Sequence, residues 1–240
     1  MALLPFMKSR DGKTEFFTDG SFIYARRGKE AYRLDLFDRH YYKLRLFNDV
    51  PILEIDGLRM QLVKDFETPL DYAKEVVGGL HIRPGRMARV LDTCMGLGYT
   101  AIESAKKAGV GHVTTCEFSE AVIKLAKWNP MSEPLFEKGG KIEVVSGDIS
   151  ELIKTMESSS FDYVIHDPPR FSLAPQLYSS RFYSELFRVC GPGARIFHYV
   201  GSVGKKSGKH IEQGAMKRLM DTGFKRLKYD SRLQGIFAER

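Results

Sequence analysis

Strand-like and helix-like segments alternate along most of this chain, and that alternation limits its fold more than any other feature. Each of five short apolar runs is followed by a segment with the apolar spacing of a helix. The runs span residues 89–93, 113–117, 141–145, 161–166 and 195–200. Such alternation predicts a mostly parallel sheet with helices on both faces. The carboxyl ends of the strands would then meet at one edge, where folds of this kind bind ligands.

The first 65 residues have a different pattern, with short aromatic-rich runs separated by turn signals. Residues 51–55 and 58–63 are joined by Asp56-Gly57, a strong signal for a two-residue hairpin. We therefore predict a small antiparallel β domain at residues 1–65 and an α/β domain at residues 66–240. The apolar start, Met1–Met7, is expected to be a disordered or docking segment.

Composition excludes several classes of protein. Sixteen Phe, eleven Tyr and 43% hydrophobic residues can form a sizeable core, so intrinsic disorder is not expected. Three cysteines are too few for a disulfide framework and favour a reducing compartment. No run approaches 18 uninterrupted apolar residues, so no membrane span is expected. We expect a cytoplasmic protein without a metal site, because the six histidines are scattered, and a homodimer is one possible assembly.

Acidic residues and glycines stand at three successive predicted strand ends. Asp92 is followed by Gly96 and Gly98, which allow a tight turn and a close approach to a ligand. Glu117, 25 residues after Asp92, suits the two hydroxyls of a ribose. Asp148 could accept a hydrogen bond from an adenine amine. One such acid would be explained by a helix cap or an exposed strand end, but three together with the two glycines favour a nucleoside cofactor.

These motifs resemble those of the S-adenosylmethionine (SAM)-dependent class I methyltransferases. The resemblance covers roughly residues 66–240 and depends on the runs VLDTCMGLGYTAIESAKKAG, CEFSEAVIKLAK, VVSGDI and FDYVIHDPPR. It departs from the family at the first glycine of the loop, where this chain has Cys94 or Met95. The resemblance implies that SAM is the cofactor and that a Rossmann-like, seven-stranded sheet carries it. The implied cofactor-binding residues are Asp92, Thr93, Gly96, Gly98, Glu117, Phe118, Asp148, Ile149 and Asp167.

The fourth strand of the α/β region ends in a stiff acidic segment. Asp167 is followed by Pro168 and Pro169, which both fix φ and lack an N–H donor. The segment resembles the (D/N)PP(Y/F) motif of amino-group methyltransferases and the DPP motifs of several RNA-base methyltransferases. The resemblance implies that Asp167 orients an acceptor on a platform formed by the two prolines.

Three neighbours of this segment leave its chemistry open. His166 is either a base near neutral pH or a packing residue at a strand end. Arg170 stands where amine-modifying enzymes have an aromatic residue, and Phe171 comes one position late. The atom that is modified therefore remains open, and we assign Arg170 and Phe171 to acceptor binding.

A second resemblance concerns the N-terminal region. The runs LEIDGLRMQLV (residues 53–63) and DYAKE (71–75) are similar to the spermidine synthase family, which also has a β domain before a methyltransferase-like core. Gln61, Tyr72 and Asp167 stand at positions that match motifs of that family. However, its second acid beside Asp167 and its GGGDG loop are absent here. The resemblance therefore implies a shared architecture with a different reaction, with Gln61 and Tyr72 on the substrate side.

Positive charge is concentrated near the end of the chain. Residues 201–240 carry ten basic and four acidic side chains, and Lys205 and Lys206 lie in a glycine-bounded run. Two explanations fit this charge equally well: a solvated surface, or a site for an anionic acceptor such as tRNA or rRNA. The leading hypothesis is methyl transfer from SAM to a nitrogen of an RNA base, with Lys205 and Lys206 binding the acceptor. The alternatives are aminopropyl transfer from decarboxylated SAM and a non-catalytic protein with the same fold.

Overall fold

The N-terminal region forms two antiparallel four-stranded sheets in the computed structural model, which describes residues 3–201 and 211–240. The first sheet contains β1 (Leu4–Lys8), β2 (Thr14–Thr18), β3 (Ile23–Arg27) and β4 (Glu30–Arg33). The second contains β5 (Asp35–Asp38), β6 (His40–Phe47), β7 (Val50–Ile55) and β8 (Leu58–Arg59). The prediction of a single small sheet was therefore too simple. The expectation of a disordered start was wrong for β1, because its residues pair with β2.

The predicted hairpin between β7 and β8 is confirmed. Asp56 and Gly57 both have positive φ, 48° and 78°, as a type I′ turn requires. Asn48 and Asp49, between β6 and β7, have φ of 47° and 61° and make a second tight connection of the same kind. These two turns align β6, β7 and β8.

The rest of the chain forms one seven-stranded sheet, which confirms the predicted α/β fold class. Its strands are β9 (Ala88–Asp92), β10 (Val110–Glu117), β11 (Ile142–Ser146), β12 (Phe161–His166), β13 (Cys190–Tyr199), β14 (Lys225–Asp230) and β15 (Gly235–Glu239). Their spatial order is β11-β10-β9-β12-β13-β15-β14. The first five in that order are parallel, and the last two are antiparallel to their neighbours.

Helices cover both faces of this sheet. They are α1 (Pro69–Gly79), α2 (Tyr99–Ala105), α3 (Glu120–Trp128), α4 (Ile149–Thr155), α5 (Ser180–Val189) and α6 (Ile211–Thr222), with short 3₁₀ helices at Pro130–Phe136 and Pro175–Tyr178. Successive strand residues enter opposite apolar cores, with Val90 in one and Leu91 in the other. This is why the central strands are apolar throughout rather than alternating. No helix within the described residues is long and apolar enough to cross a membrane.

A capping box fixes the start of helix α1 at Pro69. The Thr68 hydroxyl accepts a hydrogen bond from the Asp71 amide, and the Asp71 carboxylate accepts one from the Thr68 amide. Pro69 occupies the first turn, where its missing N–H costs nothing. This start places Tyr72 one turn into the helix, facing the carboxyl ends of the strands.

Candidate functional site

A cavity of about 490 Å³ opens at the carboxyl edge of the parallel strands. Its floor and walls come from the loops after β9 and β12, from the last residues of β10 and β13, and from α1, and residues 57–64 of the N-terminal region form its roof. It brings together nine residues that the sequence predicted for the site. They are Gln61, Tyr72, Gly96, Gly98, Glu117, Asp167, Pro168, Pro169 and Arg170.

The backbone of the loop after β9 requires glycine at two positions. Gly96 and Gly98 both have positive φ, 53° and 75°. A Cβ on Gly98 would also lie 2.3 Å from a methyl carbon of Leu135, so a side chain has no room there. The loop therefore keeps its backbone exposed to the cavity, as a site that approaches a ligand closely requires.

Glu117 connects two of these loops. Its Oε2 accepts a hydrogen bond from the Gly96 amide at 2.9 Å, and its Oε1 accepts one from the Ser119 amide at 2.9 Å. Burial raises the pKa of the Glu117 carboxyl, and these amide donors partly oppose that rise. The carboxylate thus forms a polar wall of the cavity in a fixed orientation.

Asp92 is fully buried and does not line the cavity itself, but it is hydrogen-bonded to Thr100, which does. Its Oδ2 accepts hydrogen bonds from the Thr115 and Thr100 hydroxyls, at 2.9 and 3.3 Å. Its Oδ1 is buried and has no hydrogen-bond partner among the described residues. Burial raises the pKa of this carboxyl to about 7, and the charges of Asp167 and Glu117 add to the rise. An unpaired buried carboxylate oxygen is costly, so the site fits a ligand that brings positive charge or a donor.

Asp167 and Tyr72 form the other side of the cavity. The Tyr72 hydroxyl donates to Asp167 Oδ2 at 3.2 Å. Burial raises the pKa of the Asp167 carboxyl to about 7, against the effect of this hydrogen bond. Two carboxylates, those of Glu117 and Asp167, line the cavity, and the Asp92 carboxylate is buried close to it, so the site favours a cationic ligand such as a sulfonium.

Tyr199 is a cavity residue that the sequence argument missed. It is the last residue of β13, and burial raises the pKa of its hydroxyl to about 12, with the charge of Asp167 adding to the rise. The signal was available, because β13 was predicted and its carboxyl end must reach the same edge as Asp167.

The structure decides between the two roles that the sequence left open for His166. Its side chain is fully buried, and its Nε2 lies 2.9 Å from the Leu177 carbonyl, which can only accept. The proton is therefore on Nε2, and Nδ1 accepts from the Thr93 hydroxyl at 2.8 Å. Burial lowers the pKa of His166 to about 4. With both nitrogens bonded inside the core, it is a packing residue and not a base that faces an acceptor.

Gln61 lies where the roof meets the loop after β9. Its Oε1 accepts from the Leu53 amide at 2.7 Å, which leaves the Nε2 amide group free to donate elsewhere. That nitrogen lies 3.9 Å from the position a Cβ would take on Gly96. The roof also contributes Arg59 and Lys64 to the cavity lining. The N-terminal region thus completes the cavity and supplies positive charge to it.

Several sequence-predicted residues lie outside the cavity wall, and their roles toward ligands stay predictions. Asp148 caps α4, where its Oδ1 accepts from the Ser150 amide at 2.8 Å, and Ile149 is buried in the core. Phe118 is 75% exposed beside Glu117. Phe171 contacts the edge of Tyr178 at 5.4 Å between ring centres. Thr93 is buried against His166, and Lys205 and Lys206 lie outside the described residues.

Known proteins resemble this chain in both sequence and fold. Residues 90–193 match a family described as a methyltransferase domain. The chain is 43% identical over 221 residues to uncharacterized protein MJ1233 of Methanocaldococcus jannaschii, a match that covers 92% of this chain and 74% of that protein. Over 124 residues it is 32% identical to polyamine aminopropyltransferase 2 of Streptomyces coelicolor, covering 50% of this chain and 22% of that protein.

A structural match extends over nearly the whole chain. Spermidine synthase from Thermotoga maritima superimposes with a TM-score of 0.69 at 16% identity, covering 98% of this chain and 79% of that one. At this identity the likeness concerns the fold, and it includes the N-terminal β region as well as the seven-stranded sheet.

Proposed function

Since this chain belongs to the SAM-dependent class I methyltransferase superfamily, we propose that it transfers a methyl group to a nitrogen of an RNA base, in tRNA or rRNA. The methyltransferase domain implies SAM as the cofactor, which supplies a methyl group already activated on its sulfonium. The observation that carries the proposal is the position of Asp167, in the same cavity as the Gly96 loop and Glu117.

The residues around the cavity fit this cofactor. Glu117 offers carboxylate oxygens where a ribose would bring hydroxyls. The Gly96–Gly98 loop exposes backbone, and the three nearby carboxyls favour a cation. Because the methyl group needs little further activation, the main task of the protein is alignment, which can supply much of the acceleration.

Asp167 is the group that would orient the acceptor. In its ionised form it can accept a hydrogen bond from an amino group of a base, and Tyr72 holds one of its oxygens in place. Pro168 and Pro169 keep the segment stiff, and the Pro169 carbonyl is held by the Tyr178 hydroxyl at 2.9 Å. Tyr199 adds an aromatic side chain beside Asp167, which suits a flat base.

The charge of the cavity rim supports an anionic acceptor. Arg59, Lys64 and Arg170 line the cavity, so a phosphate-bearing molecule meets cations as it enters. Arg59 and Lys64 would repel a polyamine, and the three cations of the cavity lining outnumber its two acids, Glu117 and Asp167. This balance favours RNA over a polycation.

Aminopropyl transfer from decarboxylated SAM is the second candidate. It is favoured by the meeting of Gln61, Tyr72 and Asp167 in one cavity, because these positions match motifs of the spermidine synthase family. The whole-chain likeness to a spermidine synthase supports the same candidate. The cations of the rim and the absence of a second acid beside Asp167 in the sequence disfavour it.

One experiment separates the candidates. The purified protein is incubated with methyl-labelled SAM and, in separate reactions, with total RNA, total protein and polyamines, and decarboxylated SAM is tested in parallel. We expect label in RNA, and we expect Asp167→Asn to lose most of it even when SAM is saturating. Asp221→Asn, an exposed acid on α6, is the matched control. Product from decarboxylated SAM and a polyamine, with no labelled RNA, would replace the proposal by the second candidate.

A further inference from the structure

Two adjoining cavities lie outside the cavity of the candidate site, and the larger of them is lined in part by α1. Their volumes are about 600 and 300 Å³, and both are lined by Arg195, Arg226 and Glu239, so they form one continuous groove. We call it the α1–β14 groove. Its basic side chains are Lys74, Arg83, Arg86, Arg195, Arg226 and Lys228.

Close packing between α1 and β15 creates this groove. A Cβ on Gly79, at the end of α1, would lie 2.3 Å from Cζ of Phe237 in β15. The end of the helix therefore packs directly on the Phe237 ring, which leaves no room for a side chain at position 79. Lys228 and Arg226 of β14 line the space that remains.

Positive charge dominates one end of the groove. Glu239 is shared between Arg195 and Arg226, at 3.1 and 2.7 Å. Arg83 and Arg86 are exposed and form no ion pair with any residue that the structure describes. The smaller cavity thus gathers four arginines around two carboxylates.

The groove runs from the rim of the candidate site to the opposite edge of the sheet. At its upper end, Asp230 of β14 is the strand partner of Gly235 in β15. Gly235 is in turn the strand partner of Tyr199 in β13, which lines the site cavity. At its lower end lies Arg226, next to Lys225, which pairs with Glu239. The six residues of β14 span about 20 Å, more than one phosphate group needs.

We infer that the α1–β14 groove binds the phosphate backbone of an RNA strand whose target base enters the site cavity. The inference rests on the proposed function for the acceptor being RNA. Arginine suits this role because its planar fork donates two hydrogen bonds to one phosphate. Helix α1 joins the two sites, because Tyr72 lines the cavity and Lys74, two residues later, lines the groove.

The test measures RNA binding by fluorescence anisotropy with a fluorescein-labelled oligouridine across a potassium chloride series. The variant Arg83→Ser/Arg86→Ser removes two exposed cations without touching the core. If each contacts one phosphate, the slope of log affinity against log salt should flatten by about 1.4, at about 0.7 per contact. Arg27→Ser/Arg39→Ser removes equal charge from the exposed surface of the N-terminal sheets and should leave the slope unchanged.

Calorimetry with SAM on the same proteins separates this inference from the proposed function. We expect both double variants to bind SAM as the wild type does. Three outcomes would overturn the groove assignment: a wild-type slope in the Arg83/Arg86 variant, equal flattening of the slope in both variants, or no RNA binding by the wild type. Failure of the wild type to bind SAM would instead count against the proposed function, whatever the RNA result.

Discussion

Binding of SAM should release protons, because its positive charge enters a site close to two carboxyls whose pKa is about 7. Burial raises the pKa of Asp92 and of Asp167 to about 7. At pH 7 each of these groups therefore carries about half a proton in the free protein. A positive charge nearby stabilises the ionised form, so each pKa falls and protons leave on binding.

The size of the effect follows from Coulomb's law. A unit charge about 6 Å from a carboxylate, at an effective dielectric constant of about 20, contributes about 2.8 kcal/mol, or about 2 in pKa. Both groups would then be almost fully ionised at pH 7, and about 1 proton would be released per SAM bound. S-adenosylhomocysteine lacks the sulfonium charge and should release clearly less.

Isothermal titration calorimetry at pH 7 measures this number directly. The observed enthalpy is plotted against the ionisation enthalpy of a series of buffers, and the slope is the count of protons. Asp167→Asn should lower that count by about half a proton, whereas the exposed Asp221→Asn should not change it. A slope near zero for SAM, or equal slopes for SAM and S-adenosylhomocysteine, would refute the electrostatic argument.

Three further variants test single contacts. Asp92→Asn should raise the melting temperature at pH 8, because a carboxyl whose pKa rises to about 7 on folding destabilises the folded state once it is ionised. The same variant should weaken SAM binding. An unchanged melting temperature would contradict this expectation. Tyr72→Phe removes a hydrogen bond that lowers the pKa of Asp167, so the midpoint of the pH–rate profile should move to higher pH. A midpoint that stays the same or moves to lower pH would count against this role of Tyr72. Gly98→Ala should cost more than about 1 kcal/mol of the free energy of unfolding, since it adds a clash with Leu135 to the strain of positive φ. Gly139→Ala is the control, because Gly139 has φ 73° with open space around it, so this variant measures the backbone strain alone. If both variants lose the same free energy of unfolding, the clash with Leu135 contributes nothing.

Much of the fold was predictable because it depends on local pattern. The apolar runs had the length and composition of buried strands, and the residues between them had helical spacing, so the parallel sheet followed. Asp92, Glu117 and Asp167 could be placed at one edge for the same reason, since parallel strands end together. The hairpin at Asp56-Gly57 was equally local, because only certain residues adopt positive φ at both turn positions.

The contacts that define the cavity were decided by tertiary structure. His166 and Asp167 are neighbours in the chain, but the alternation of a strand sends one side chain into the core, between Thr93 and the Leu177 carbonyl, and the other into the cavity. No local pattern distinguishes these two fates, because the partners are 73 and 11 residues away in the chain.

The roof and the groove also depend on long-range packing. Gln61 reaches Gly96 because the N-terminal sheets pack over the strand ends. Arg83 and Arg226 share one cavity because the last two strands extend the sheet beyond β13. The sequence by itself determined the fold class and the edge of the sheet at which Glu117 and Asp167 lie. Only the tertiary structure decided which of them face one another, since burial and pairing depend on segments that are distant in the chain.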